Sequence, residues 1–319
     1  MKIGVVGYGV IGRVHVKVLN ELGFFVTAIC DNDPEKLKEL NGVKTYSDYN
    51  EMLKSEKLDA VHICTPHYLH KEMIIKALKL GVNVLSEKPM CIKREDIDEI
   101  LKAEKESSAI LGVSFQNRFN PAVKYAENYL KGKKILGGYG TLLWKRDKVY
   151  YSSGAWRGKK KTEGGGVLIN QAIHTIDLLI KLVGEPKTLI ANVSNNTLKG
   201  VIDVEDTAFI KCSDGGEFTF FASNGSECDF PVTISVKTTE GTVTLVQNEV
   251  YVNGEKIDVG KAEAFYGKSV YGSGHYALIK EFYRCVEKKE KFAIDGSEAA
   301  KAVKIVLAAY ESDGKPVGI

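Results

Sequence analysis

Two short stretches of this chain carry side chains that can hold or move a proton. "VLSEKPM" contains Glu87, Lys88 and Pro89. A lysine supplies a positive charge and three donors, and it accepts a proton if burial lowers its pKa. In an ordinary loop the same lysine is only a solvated charge. Pro89 removes a backbone donor and favours a sharp turn, of which a cis bond is one form. "EGGGVLINQAIHTIDLL" runs from Glu163 to Leu179. Its triple glycine lets backbone approach something flat or bulky. On a helix, Asn170, His174 and Asp177 stand at i, i+4 and i+7 and share one face. An imidazole can take a hydroxyl proton near neutral pH. Asp177 is spaced either to orient it or to sit one turn away as a surface partner.

A third stretch points to a ligand. "GVVGYGVIGRVH" sets Gly7, Gly9 and Gly12 in the order G-x-G-x-x-G, directly after the apolar run Ile3 to Val6. In a strand–turn–helix context the first glycine permits the tight turn. The second lets backbone approach a diphosphate, and the third lets helix and strand pack closely. Val10 and Ile11 then open the helix, whose free N–H groups and positive dipole end suit phosphate. The next strand-like run ends in "ICDND", with Asp31 19 positions beyond Gly12. An acid there can bind both ribose hydroxyls of an adenosine and would repel a 2′-phosphate, so NAD is expected rather than NADP. The same residues could also make a ligand-free turn with Asp31 capping a helix.

The elements that must position these residues fall into two grammars. Strand-like runs at Lys2–Val6, Phe25–Cys30, Ala60–Cys64, Asn83–Ser86 and Ile110–Phe115 alternate with helical patterns, among them Lys71–Leu80 and Arg94–Ser107. Such alternation predicts an α/β Rossmann domain with a parallel sheet, residues 1–119. After Asn120-Pro121 come a helix over about 122–131, a strand over about 139–145 and a helix opening near Leu168. Six extended segments follow between 187 and 252, and two helices close the chain. That order predicts an α+β domain over residues 120–319, with a large, mainly antiparallel open sheet flanked by helices. The chain of 319 residues is long enough for two domains. A net charge of +3 gives no basic surface for nucleic acid. No secretory leader or bilayer-length apolar stretch is legible. Six scattered cysteines read as reduced, buried thiols, which implies the cytoplasm and no metal site.

Taken together, "GYGVIGRVH", "ICTPHYLHKEMIIKALKLGVNVLSEKP", "GVSFQNRFNP", "GGGVLINQAIHTIDLL" and "GSGHYALIKEFY" resemble the glucose–fructose oxidoreductase, inositol dehydrogenase and rhizopine-catabolism family of dehydrogenases over nearly the whole chain. The resemblance gives Lys88 and His174 the family's lysine and histidine roles beside the substrate carbon that yields hydride. It sets Thr65, Pro66, His67 and Glu87, with Lys88, along the cofactor cleft. Asn170 stands where the family more often has an aspartate. An amide cannot shuttle a proton, so the resemblance leaves acid–base work to His174 with Lys88 and gives Asn170 a substrate hydroxyl to hold.

The expected protein is an enzyme: an NAD-dependent dehydrogenase acting on a secondary alcohol of a cyclic polyol or sugar. Arg118 is a candidate for the substrate or the domain junction. Tyr150, Trp156 and Arg157 are candidates for a lid that stacks on a sugar ring and binds hydroxyls or a carboxylate. Lys159–Lys161 reads as a solvated loop. The alternatives are a nucleotide-sugar (uronate-type) 3-dehydrogenase or keto-sugar reductase and, from another class, a non-catalytic NAD-binding sensor. The implied partners are a sugar or polyol, no nucleic acid, no membrane, and a second copy of the chain in a homodimer or homotetramer, as family members commonly form.

Overall fold

Short apolar runs bounded by glycine and polar residues have no polar face to show water, so they form strands covered on both sides. The computed structural model describes residues 1–38, 40–260 and 274–319. It builds six such strands into one parallel sheet: β1 (Ile3–Val6), β2 (Val26–Cys30), β3 (Lys44–Tyr46), β4 (Ala60–Ile63), β5 (Asn83–Glu87) and β6 (Leu111–Ser114). Every residue of β1, β4 and β6 is buried. The spatial order β3-β2-β1-β4-β5-β6 is the doubly wound one, and it reverses between β1 and β4, where ligands of such sheets collect. β3 was not legible in the sequence, because its "KTY" is mostly exposed at the sheet edge and has no apolar pattern.

The chain divides into two compact units. One holds Met1–Gln116 and the described residues of a later stretch ending at Ala299; the other holds 117–260 and 300–319. The sequence expectation gave two contiguous domains meeting at residue 119. Here the helix Gly274–Lys288 instead lends Leu278, Ile279, Phe282 and Tyr283 to the core of the first unit. The reason lies at Gly112 on β6. A Cβ there would come within 2.9 Å of both Phe282 and Phe292, so the missing side chain is the socket for those rings. The Val113 N–H also donates to the Ile294 carbonyl at 2.9 Å. Residues 272 and 273 of the "GSGHY" run lie outside the described residues.

The second unit is built on a nine-stranded sheet: β7 (Ile135–Leu143), β8 (Thr188–Ser194), β9 (Thr207–Ser213), β10 (Phe218–Ser223), β11 (Thr233–Thr238), β12 (Gly241–Val246), β13 (Glu249–Val252), β14 (Glu255–Ile257) and β15 (Val317–Gly318). All neighbours pair antiparallel except β7 and β10. The helix Ile173–Val183 lies on β7, close enough that a Cβ on Gly140 would meet Leu179 at 2.9 Å. β9 and β10 alternate buried and exposed residues, so one face is covered and the other open. On the open side Phe209 and Phe221 are directly paired, 43% and 39% exposed.

Two expectations need correcting. The helical run Lys160–Val183 is long and apolar enough to cross a membrane by composition, but 83% of its most apolar window is buried in the protein. All six cysteines are free, yet Cys228 is exposed, not buried.

Phe282→Ala should empty the Gly112 socket and destabilise the first unit by about 3–5 kcal/mol, read from denaturant unfolding followed by a probe in that unit. Unchanged stability would show that the late helix adds nothing to this core.

Candidate active site

In the first unit the glycine turn is built as the spacing requires. Gly7 sits at φ +86°, and a Cβ there would lie 2.5 Å from the Cys64 carbonyl oxygen. A Cβ on Gly12 would lie 1.9 Å from the Gly7 carbonyl oxygen, so the helix Val10–Glu21 can start here only without one. Gly9 is different: nothing stands within 4 Å of the place its Cβ would take. Its helix has no side-chain cap and no acid in the first turn, and Val10 is 64% exposed. These features leave room and unpaired donors for a diphosphate, as NAD would need. Asp31 follows β2 and is buried. Its carboxylate accepts from the Tyr8 N–H at 2.7 Å, the Asp33 N–H at 2.9 Å and the Lys36 ammonium at 3.1 Å. The sequence reading did not foresee that ammonium.

Thr65 and Pro66 follow β4 and are half-buried, whereas His67 is buried. The neighbouring His70 puts one ring nitrogen 2.7 Å from the Thr65 carbonyl oxygen and the other 2.7 Å from the Pro89 carbonyl oxygen. It therefore ties the loop after β4 to the loop after β5. Lys88 is half-buried, and its bond to Pro89 is cis.

Glu87 was expected to face the cofactor. Its carboxylate instead enters a buried chain of rings: His15 Nε2 lies 3.1 Å from Glu87, His15 Nδ1 is 2.8 Å from His62 Nδ1, and His62 Nε2 is 2.8 Å from the Tyr283 hydroxyl. Burial works against a charge on His15, but the nearby Cys64 sulfur and Glu87 carboxylate override it and push the imidazole up to about 10. Burial opposes the Glu87 charge too, and His15 outweighs it, holding the carboxyl well below its ordinary range. His62 and His275, also buried, are both pushed down, His275 to about 4. The set is thus one ion pair among neutral rings. Ligand atoms of His15, Glu87 and His275 lie within 4.8 Å of one another, a spacing one divalent cation could use as well.

In the second unit the residues around Asn170 form a polar knot inside an apolar shell. Leu168–Ala172 is wound as a π-turn and only Ile173–Val183 as α-helix. Asn170 therefore does not keep the α-helical spacing to His174 and Asp177 that the sequence suggested. Asn170 donates from Nδ2 to the buried Glu163 carboxylate and to the Tyr150 hydroxyl at 3.4 Å. Glu163 also accepts the Gly158 N–H. Burial, partly offset by those two donors and by the Arg157 charge, pushes its carboxyl up to about 7. The Tyr150 oxygen takes Arg157 Nη1 at 2.6 Å and Gln171 Nε2 at 3.0 Å. Arg157 lies 4.6 Å over both the Tyr150 and Trp156 rings, so three lid candidates meet in one stack. His174 is half-buried.

Arg118 and Asp177 were read as separate actors. They are buried partners: Arg118 Nε and Nη2 reach the two Asp177 oxygens at 2.7 and 2.5 Å. The triple glycine approaches protein: a Cβ on Gly165 would strike the Tyr310 hydroxyl, and one on Gly166 the Glu205 carbonyl. Glu205 accepts the Gly166 and Leu168 N–H groups at 2.8 and 3.0 Å and so pins this turn. Lys159, Lys160 and Lys161 are exposed as expected, though Lys160–Glu163 is a single helical turn. Sequence reasoning missed His15, Lys36, Glu163 and Gln171. His15, three residues past the last fingerprint glycine and facing the strand bundle, was the most findable.

Because the Glu163 carboxyl is raised from 4.5 to about 7, wild-type stability falls by about 3 kcal/mol as pH rises through that window. Glu163→Gln stays neutral and should lose this slope, so the variant gains on wild type by about that amount between pH 4.5 and 7 in thermal melts, and the gap stays constant above pH 7. Parallel melting curves across pH would show that Glu163 titrates normally.

Comparison with known proteins agrees with this architecture. Residues 1–115 match the profile of an oxidoreductase family's NAD-binding Rossmann fold, and residues 143–319 match the same family's C-terminal alpha/beta domain. Myo-inositol 2-dehydrogenase of Thermotoga maritima is 24% identical, over 98% of this chain and 96% of its own. The scyllo-inositol 2-dehydrogenase (NAD(+)) of Bacillus subtilis is 26% identical, over 99% and 96%. The WlbA dehydrogenase of Bordetella pertussis, solved with NADH and UDP-GlcNAcA, superposes with a TM-score of 0.88 at 26% identity, over 100% of this chain and 97% of that one.

Proposed function

The chain belongs to the Gfo/Idh/MocA family of oxidoreductases, and on that premise we propose that Lys88 and His174 are its proton-handling pair in the NAD-dependent oxidation of a secondary alcohol on a cyclic polyol or sugar. The observation that carries the reading is the turn at Gly7–Gly12, which is unobstructed at Gly9 and flanked by Asp31. NAD, when bound, supplies the hydride acceptor. Gly9, Val10 and Ile11 would hold its diphosphate, with Gly7 and Gly12 shaping the turn. Asp31 would hold the ribose hydroxyls, and Thr65, Pro66 and His67 would line the cleft. Oxidation breaks a C–H and an O–H bond. The chain's own part is to take the proton, which must leave with a base. His174 takes that proton. The Lys88 ammonium stabilises negative charge building on the same oxygen. Asn170 holds a neighbouring hydroxyl.

The Arg157 stack with Tyr150 and Trp156, beside exposed Lys159–Lys161, favours a sugar carrying a carboxylate or phosphate as a second reading, in line with the nucleotide-sugar uronate bound by the WlbA enzyme. Free cysteines support a reducing, cytoplasmic setting, and the exposed Phe209 and Phe221 on the open sheet face support a second copy of the chain as partner.

NADH absorbance, followed with NAD and a panel of myo-inositol, scyllo-inositol, levoglucosan and UDP-GlcNAcA, should show turnover on at least one. On that substrate Lys88→Ala and His174→Ala should lower kcat by roughly 10²–10⁴-fold with NAD affinity kept within about threefold. Near-wild-type rates would remove that residue from the mechanism, and no turnover on any alcohol with NAD bound would favour a sensor.

A further inference from the structure

The charge that was expected to exclude a 2′-phosphate is not bare. Lys36 Nζ lies 3.1 and 3.3 Å from the two oxygens of Asp31, and 3.9 Å from Asp33. Asp31 has almost no exposed side chain, while that of Lys36 is 38% exposed. The partners therefore differ in freedom. The carboxylate is fixed by the Tyr8 and Asp33 N–H groups. The ammonium rides at the end of a four-carbon stem on the short turn Pro34–Lys36, just past β2. The other charges nearby have their own partners or faces: Glu35 pairs with Lys38, and the Arg13 guanidinium lies over the Tyr8 ring.

We propose that Lys36 is a specificity-determining residue that lets this site take a 2′-phosphorylated dinucleotide as well as NAD. The inference rests on the reading above that Asp31 faces the adenosine ribose. With NAD, the two ribose hydroxyls donate to Asp31 and Lys36 moves aside or shares the carboxylate. With NADP, the same ammonium turns from Asp31 to the 2′-phosphate and cancels part of the repulsion the carboxylate would otherwise exert. Lys36 thus narrows the difference between the two cofactors, and Asp31 widens it.

The test needs no substrate. NADH and NADPH are titrated separately into the purified full-length protein, with nicotinamide fluorescence as readout, at low and at physiological salt. Wild type should bind both. Lys36→Ala should weaken NADPH roughly 5- to 20-fold and move NADH less than about threefold, and Lys36→Glu should weaken NADPH further. The NADPH affinity of wild type should fall more steeply with salt than that of Lys36→Ala. Lys38→Ala should leave both affinities in place. An NADPH-to-NADH ratio unchanged in Lys36→Ala, with NADH still bound, overturns the proposal alone. An equal effect from Lys38→Ala overturns it in favour of a general surface field. If neither cofactor binds wild type, the dinucleotide site itself falls, and the proposal with it.

Discussion

The first unit depends on a contact that no side chain could survive: the Gly7 carbonyl stands 1.9 Å from where a Cβ of Gly12 would be. That approach seats the first helix against the sheet. One turn later the same helix delivers His15 to Glu87, and its start leaves the Tyr8 N–H aimed at Asp31. The opening at Gly9, the buried ion pair and the fixed Asp31 carboxylate are three outcomes of one steric permission. A methyl group at Gly12 would have to move all three.

Two buried carboxylates, one in each unit, are handled differently. In the first, Glu87 is matched by an imidazolium, so the pair stays ionised. In the second, hydrogen-bond donors and the Arg157 charge offset burial of Glu163 only in part, and its carboxyl is pushed up to about 7. Glu205, buried nearby with two backbone N–H groups and the Tyr310 hydroxyl, is also pushed up by burial. The Glu163 carboxyl, hydrogen-bonded to Asn170 and raised to about 7, can exchange a proton that an amide by itself cannot.

How much of this was legible follows from what each feature needs. Five of the six parallel strands were visible because burial on both faces demands an unbroken apolar run, and β3 was not because an exposed edge strand demands nothing. The fingerprint glycines and Asp31 were legible because their spacing is itself the geometry. Glu163 was not. Its meaning comes from the Gly158 N–H and the Asn170 amide, which a turn and a π-wound segment bring to it. The pairing of Arg118 with Asp177 spans 59 residues and leaves no periodic trace. The triple glycine was read as room for a ligand because a sequence shows that a side chain is missing but not what fills the gap; Tyr310 and Glu205 fill it.

The Tyr283 hydroxyl that ends the ring chain, and the Phe282 ring seated at Gly112, come from a helix beginning at residue 274, and the second ring there, Phe292, follows that helix. On a ribosome the six parallel strands would emerge long before that helix, and the nine-stranded unit would be almost entirely synthesised in between. The nascent Rossmann half must therefore wait with His62 and the Gly112 socket open to water, so the unit that starts first is completed late. Chaperone capture or premature termination within that interval would leave a dinucleotide turn without the rings that anchor the strands behind it.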